Sequence, residues 1–458
     1  MDRSWYALPV AVLAGTVIIF VAPTQHSVAT ILAITAFCII LWVGNPVPPW
    51  FVGLLGIGLI GISFSPNLAF IGFQSPATWL IVFGLIIGEA TNQSGLGEWF
   101  KEWLLGRVSS GTAHDSVDSV DIYRQLLIIL CFAGLMFTLL LPSALVRVLM
   151  FAPLLSDIKD VFDSRRAQIG IFLGPLIVTW HASGGVLTAS LPNIVTSGIL
   201  ESTTGQTINW SFWILVMFPV TSLARAALIT LIIYVMYRPA PNCEIKSREH
   251  DDYVATGHER QMLLFLLVGV MIWATDFIHG LHPLFGALLV VVLTLSPRVG
   301  VIEFDAVHEI NFSLIFFVGA VFAIASGLQE TGFTNMAANS LLSLLPGDLP
   351  LGLAMIAVFF VTSALMLLIE GLALASVMTP IVVSYAQQAG LPVVPIVLSE
   401  ALALDTSYFF PYQSMVLVAI LGLEDISAKE LIRTVSIVTV SSILLLIVPQ
   451  ILFLLVLY

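Results

Sequence analysis

Charged residues are scarce in this chain, and their scarcity excludes most classes of soluble protein. Asp, Glu, Lys and Arg together make up 10% of its 458 residues, whereas a soluble domain carries about 25%. Hydrophobic residues make up 59%, and the mean hydropathy is +1.04. Because apolar stretches recur along the whole length, the composition predicts an all-α polytopic membrane protein.

Other absences narrow the function. The chain has only three cysteines, of which Cys38 and Cys131 lie in apolar segments and Cys243 in a polar one, so disulfide bonds are not expected. It contains neither a His-Glu-x-x-His zinc motif nor a Gly-x-Ser-x-Gly nucleophile motif, which argues against an intramembrane enzyme. We predict no metal site, no resident cofactor and no nucleic-acid partner. The first apolar stretch lacks a small-residue cleavage site and is expected to be a retained helix.

Apolar runs of about 20 residues predict membrane crossings. Eleven such crossings are predicted, at 7–22, 29–43, 50–65, 77–97, 167–200, 211–237, 261–280, 283–298, 311–329, 393–424 and 433–457. Two of them, 167–200 and 393–424, contain polar breaks and are predicted to be broken helices. The segments 125–158 and 350–388 also contain polar breaks and are predicted to be re-entrant hairpins, which enter and leave the membrane on one side.

The distribution of basic residues supports this topology. With a cytoplasmic N-terminus, eleven crossings put the C-terminus outside, and 14 of the 16 Lys and Arg residues then lie in cytoplasmic loops. The other two, Arg147 and Arg225, lie within membrane segments. The positive-inside rule requires this bias. We therefore expect a multi-pass protein of the plasma (inner) membrane.

The hairpins and broken helices occupy matching positions in two halves of the chain. The first hairpin tip has Ser143 ten residues before Pro153, and the second has Glu370 ten residues before Pro380. Each hairpin is followed by a break that contains a proline and a side-chain amide, at 190–193 and at 410–413. Interrupted helices in corresponding positions indicate two inverted repeats around a central binding site.

The repeats predict the domain organisation. The first repeat, with an additional N-terminal helix, occupies 1–237, and the second occupies 261–458. The polar segment 238–260 between them is predicted to be a cytoplasmic linker.

The order of these elements resembles the divalent anion/sodium symporter family, which transports di- and tricarboxylates and sulfate. In that family each hairpin tip carries Ser-Asn-Thr ten residues before a proline, and each broken helix carries Thr-Pro-Pro-Asn or a relative. Here Ser143 matches the first tip, and Ser190, Pro192 and Asn193 match the first break. The resemblance implies a small anionic substrate, and a homodimer in which a transport domain moves like an elevator against a fixed scaffold.

The resemblance also places the substrate site at the tips and the breaks. Ala144 and Leu145 stand where the family has Asn and Thr, and Glu370 begins a second tip that lacks the family residues. The predicted substrate-binding residues are Ser143, Ala144, Leu145, Arg147, Thr188, Ser190, Asn193, Gly371, Tyr412, Gln413 and Ser414.

Glu370 and Asp405 are the predicted groups for a coupling ion or proton. A carboxyl group at mid-membrane is costly and marks a functional site. Because burial disfavours the charged form, Glu370 is predicted to carry a proton or to hold a cation. The alternative is that Glu370 is a structural partner of a tip amide or of Arg147. Glu400 is expected nearer the outer boundary, and Arg225 is expected to stabilise the scaffold or a subunit contact.

These features favour a secondary active transporter of small anions, coupled to Na⁺ or H⁺. A cation/proton antiporter of the same superfold, with Glu370 and Asp405 as the exchange site, is the alternative. The excess of acidic groups at mid-depth, Glu370, Glu400 and Asp405 against Arg147, would favour it. An anion channel shares the same sequence signals, and only transport against a gradient would separate the two.

Overall fold

The structure is a computed structural model that describes residues 3–21, 24–100, 102–103, 119–240, 243, 255–344, 349–423 and 426–457. Most of the predicted linker 238–260 lies outside these residues. Within them, every regular element is a helix. Before the first hairpin the main helices are Ala7–Val21, His26–Gly44, Pro49–Ser63 and Pro76–Gln93.

The two predicted hairpins and two predicted broken helices each consist of two helices separated by a short irregular segment. In the first half these helices are Ser119–Leu140 and Ala144–Lys159, then Arg165–His181 and Leu191–Thr204. In the second half they are Leu351–Met366 and Gly371–Gln388, then Val393–Leu404 and Met415–Leu423. The breaks therefore lie where Pro, Gly and polar residues interrupt the apolar runs, as predicted.

The remaining helices follow the predicted crossings, with two differences. They are Trp210–Met217 and Arg225–Tyr237, joined by the π-helix Phe218–Ala224, then His258–Ala274, Pro283–Thr294, Leu314–Glu330 and Ala428–Leu457. The π-helical segment was not predicted, and neither was the helix Phe333–Leu344. This last helix bends by 74° from Leu314–Glu330, at Gly332, whose φ of +80° a residue with a side chain rarely adopts.

Four helices of the described chain are long and apolar enough to cross a membrane alone: His26–Gly44, Ser119–Leu140, Trp210–Tyr237 and Ala428–Leu457. Counting the bent pair as one span gives a fifth. Other apolar helices are shorter than the 20 or so residues that a hydrocarbon core of about 30 Å requires. The number of eleven crossings and the inverted orientation of the repeats stay predictions.

The two halves pack in a crossed arrangement. The returning arm of the first hairpin, Ala144–Lys159, packs against Met415–Leu423, the second half of the second broken helix. The returning arm of the second hairpin, Gly371–Gln388, packs against Leu191–Thr204, the second half of the first broken helix. Because each arm packs on the other half of the chain, both hairpins and both breaks belong to one packed unit. Elsewhere Pro49–Ser63 packs along Leu314–Glu330.

Candidate functional site

The first break is closed by its own amide side chain. Asn193 is fully buried, and its Nδ2 donates to the carbonyl oxygens of Gly184 and Val186 at 3.2 and 3.3 Å. These carbonyls belong to the segment 182–190, where two short 3-10 helices replace the α-helix. Asn193 therefore satisfies backbone groups that could not remain unpaired inside a membrane protein.

The second break is tied to the tip of the second hairpin. Gln413 accepts hydrogen bonds from the backbone N–H groups of Phe409 and Phe410 at 2.6 and 2.7 Å. Its Nε2 donates to the carbonyl oxygen of Met366, at the end of the outgoing arm. Tyr412 donates its hydroxyl to the next carbonyl, that of Leu367, at 2.6 Å. In this conformation both predicted substrate-binding side chains connect the break to the hairpin.

Ser190 and Asp405 join the two breaks across the halves of the chain. The hydroxyl of Ser190 donates to Asp405 Oδ1 at 2.7 Å. Asp405 is buried, and its Oδ2 has no hydrogen-bond partner among the described residues. Gly184 lies against this carboxyl group, since a Cβ built at Gly184 would come within 2.8 Å of Asp405 Cβ and 3.2 Å of Oδ2. The close approach of the two breaks thus requires glycine at this position.

Arg147 links the first hairpin to the first broken helix. It is fully buried, and one terminal nitrogen donates to the carbonyl oxygens of Thr179 and Ala189 at 3.1 and 3.0 Å. The other donates to the carbonyl oxygen of Leu141. These three hydrogen bonds go to backbone carbonyl oxygens and not to the carboxyl group of Glu370, which the sequence offered as an alternative partner.

Arg225 lies where the two breaks meet, a place that is called the crossing of the breaks from here on. We did not predict this position for Arg225. It follows the π-helical segment and is fully buried. One terminal nitrogen donates to the carbonyl oxygens of His181 and Asp405, both at 3.1 Å, and the other to Thr406 Oγ1 at 2.6 Å. The sequence signal that could have indicated this position was a lone arginine within an apolar run. It follows Pro219, a residue that disturbs the helix.

The charges at the crossing do not balance. Arg147 and Arg225 bring two guanidinium groups, both within electrostatic reach of the single carboxyl group of Asp405. All hydrogen bonds of the two guanidinium groups go to uncharged oxygens. With both arginines charged and Asp405 ionised, the crossing has a net charge of about +1 in a low-dielectric environment. Such a centre attracts an anion.

The helices that begin at the tips and breaks are capped by side-chain oxygens. Ser143 accepts from the N–H of Val146 at 3.4 Å, and Ser414 accepts from the N–H of Val416 at 3.2 Å. Glu370 accepts from the N–H groups of Leu372 and Ala373 at 2.9 and 3.0 Å. Gly371 is the first residue of the helix that Glu370 caps. These helix N-termini carry a partial positive charge.

A cavity of about 520 Å³ opens beside the first tip. Leu145 and Met415 line it from the tip and the second break, and Glu89, Asn92 and Glu309 line it from the opposite side. Gln93 donates to both Glu89 and Glu309, at 2.8 and 3.2 Å. The predicted topology places the opening of this cavity on the cytoplasmic side.

Two members of the predicted set have a less direct relation to the crossing. Thr188 accepts a hydrogen bond from the indole N–H of Trp210 at 3.1 Å, so its hydroxyl is used in packing. Ala144 has no polar side-chain atom and contributes its backbone to the capped helix. Among the described residues, no group of three or more His, Cys, Asp or Glu could hold a metal ion.

Aromatic packing at the crossing was also missed by the sequence interpretation. Tyr408 lies 4.5 Å from Trp180 and 5.6 Å from His181, measured between ring centroids. His181 is buried, and neither ring nitrogen has a hydrogen-bond partner among the described residues. The three rings join the end of the helix Arg165–His181 to the second break.

Comparison with known proteins gives a match along nearly the whole chain. Residues 2–458 match the family model described as the sodium:sulfate symporter transmembrane region. Among curated proteins, the L-tartrate/succinate antiporter of Shigella boydii is 24% identical over 398 residues, covering 78% of each chain. The protein of the same name from Escherichia coli K12 is 23% identical over 398 residues, again covering 78% of each chain.

Two solved transporters are similar in fold. The YdaH transporter of Alcanivorax borkumensis superposes with a TM-score of 0.54 at 13% identity, covering 94% of this chain and 98% of that one. MtrF of Neisseria gonorrhoeae superposes with a TM-score of 0.53 at 14% identity, covering 96% of each chain. At these identities the likeness concerns the fold alone.

Proposed function

Because the chain belongs to the sodium:sulfate symporter family, which confirms the resemblance found in its sequence, we propose that it is a secondary active transporter of dicarboxylates or sulfate. Membership makes it a multi-pass membrane transporter of anions. The narrower substrate class is suggested by the names of its relatives, which are L-tartrate/succinate antiporters. L-Tartrate and succinate are both four-carbon dicarboxylates.

The observation that carries this proposal is the pair of buried arginines at the crossing of the breaks. Arg147 and Arg225 face one carboxyl group, Asp405, and their hydrogen bonds go to neutral oxygens. Where the breaks meet, the two arginines outnumber the carboxyl group that lies within their electrostatic reach, whereas a cation/proton antiporter would need acidic groups in excess there. The net positive charge of Arg147, Arg225 and Asp405 together supports an anionic substrate.

An elevator movement and a homodimer complete the proposal. The crossed packing of each returning arm on the broken helix of the other half supports a transport unit that moves against the scaffold. The helices Pro49–Ser63 and Leu314–Glu330 are the proposed core of the scaffold. The cavity beside Leu145 is the proposed cytoplasmic entrance to the substrate site.

Coupling to Na⁺ or H⁺ is also proposed, with Asp405 and Glu370 as the groups predicted from the sequence. Asp405 has one buried oxygen without a partner, which a cation or a proton could use. Glu370 directs its Oε2 to two backbone N–H groups. That arrangement supports the structural alternative for Glu370, because it caps the helix of the returning arm.

The test is uptake of labelled succinate, L-tartrate and sulfate into proteoliposomes, with Na⁺ and pH gradients varied independently. We expect saturable uptake of at least one of these anions against its gradient. Replacing Arg147 with Gln should raise KM about tenfold or more, since a lost charged interaction costs about 1.5–3 kcal/mol.

Arg124→Gln is the matched control. Arg124 is exposed and pairs with Asp121 at 3.0 Å within the same helix, so its loss should leave KM unchanged. Downhill flux without accumulation would indicate a channel instead. Uptake of none of the three anions would contradict the proposed substrate class.

A further inference from the structure

Glu400 is a fully buried carboxyl group that takes no part in the anion site described above. It lies in the helix Val393–Leu404 and has 0% exposure. Its Oε1 accepts a hydrogen bond from the hydroxyl of Thr379 at 2.8 Å. Its Oε2 is also buried and has no hydrogen-bond partner among the described residues. An ionised carboxylate here would have a single hydroxyl group to stabilise it.

The surroundings of Glu400 supply no positive charge. Three helices pack closely against Val393–Leu404, namely Leu191–Thr204, Leu351–Met366 and Gly371–Gln388. Their only titratable side chains are Glu201 and Tyr385, and Glu201 lies 3.5 Å from His282. On the same segment, Asp405 follows the end of the helix and bonds to Ser190. Burying an unpaired carboxylate costs several kcal/mol, so the burial of Glu400 favours its protonated form over its ionised form.

The hydrogen-bond partner of Glu400 lies on a different element, next to a proline. Thr379 lies in the returning arm of the second hairpin, directly before Pro380. Proline has no N–H group, so the helix lacks one backbone hydrogen bond at this point. Separation of the arm from Val393–Leu404 would break the bond to Thr379 and admit water, which favours the ionised carboxylate. Protonation and arm position are therefore linked.

We propose that Glu400 binds and releases the coupling proton of anion transport as the arm Gly371–Gln388 closes on, and separates from, the helix Val393–Leu404. This inference rests on the proposed function and replaces Glu370 by Glu400 as the proton carrier. Val393–Leu404 ends at Asp405, so the proton site and the anion site share one short helix.

The experiment compares wild type, Glu400→Gln and Glu201→Gln in proteoliposomes with labelled succinate as the probe. Gln has nearly the shape of protonated Glu but cannot release a proton. One measurement is exchange of external labelled for internal unlabelled succinate at equal pH on both sides. The other is net uptake with and without an inward proton gradient. Glu400→Gln should retain exchange and lose the stimulation by the gradient, while Glu201→Gln behaves like wild type.

A second variant keeps the test informative if Glu400→Gln does not fold, as judged by size-exclusion chromatography. Thr379→Val removes the hydroxyl that favours the ionised carboxylate. It should retain the stimulation but shift the pH profile of net uptake towards alkaline pH. An unshifted profile would contradict the assignment of Glu400.

The outcomes separate this inference from the proposed function. If wild type exchanges succinate but ignores the proton gradient, or if Glu400→Gln still responds to it, the inference is overturned while anion transport stands. If wild type exchanges neither succinate nor the other two anions, the proposed function fails, and the inference fails with it.

Discussion

Arg147 and Arg225 illustrate how single residues define the centre of this protein. Either guanidinium group alone in a membrane interior would be costly. The structure surrounds both with the backbone carbonyls that the broken helices leave free, at Thr179, Ala189 and His181. The carbonyl groups at the breaks need hydrogen-bond donors, and the buried arginines need hydrogen-bond acceptors. The same two residues supply the positive charge of the proposed anion site.

Gly184 provides a test of the contact between the two breaks. Gly184→Ala places a methyl group within 2.8 Å of Asp405 Cβ, closer than real Cβ contacts, so the breaks must separate. We expect a loss of stability of about 1–3 kcal/mol and a strong loss of uptake, measured by thermal unfolding in detergent and in proteoliposomes. Gly58→Ala is the control, because its added Cβ meets nothing within 4 Å. Equal behaviour of the two variants would contradict a close contact at Gly184.

At the scale of elements, the returning arm of the second hairpin depends on its first residues. Glu370 caps this helix through two N–H groups, and a lost cap costs about 0.5–2 kcal/mol. We predict that Glu370→Ala accelerates hydrogen exchange at the amides of Leu372 and Ala373, measured by mass spectrometry. Glu330→Ala, at the end of another helix, should leave this exchange unchanged.

A second variant, Glu370→Gln, decides whether Glu370 is a helix cap or a coupling group. A purely structural cap predicts that Glu370→Gln, whose amide oxygen can still accept, preserves the response of uptake to a proton gradient. Abolition of that response by Glu370→Gln would support the original prediction of a coupling group and weaken the assignment to Glu400.

At the scale of the whole molecule, the predicted topology can be tested on exposed loop residues of the described chain. Gln206 lies after the first broken helix and is predicted to face outside, and Glu303 lies in a loop predicted to face the cytoplasm. In a Cys243→Ser background, a membrane-impermeant maleimide added to intact cells should modify Gln206→Cys and not Glu303→Cys. Inverted vesicles should reverse the result, whereas modification of both from one side would refute the inverted repeats.

The sequence determined the class of protein, the helices and the positions of the four breaks. These features depend on local composition, because a bilayer demands long apolar runs and allows interruption only where backbone groups find other partners. The observed breaks lie at the predicted tips and at the Ser190 and Phe410 motifs. Local signals could not locate the helix Phe333–Leu344, whose sequence is less apolar and lies on no predicted crossing.

How the polar groups combine depends on the packing of distant segments. Ser190 and Asp405 are 215 residues apart, and Arg225 and Asp405 are 180 apart, so no local pattern relates them. Packing of the two halves brings the breaks together, and Arg225 donates to a carbonyl oxygen at each of them. Packing also buries Glu400 beside Thr379. Such pairings arise from contacts between distant segments, and the free energy of those contacts is a property of the packed molecule.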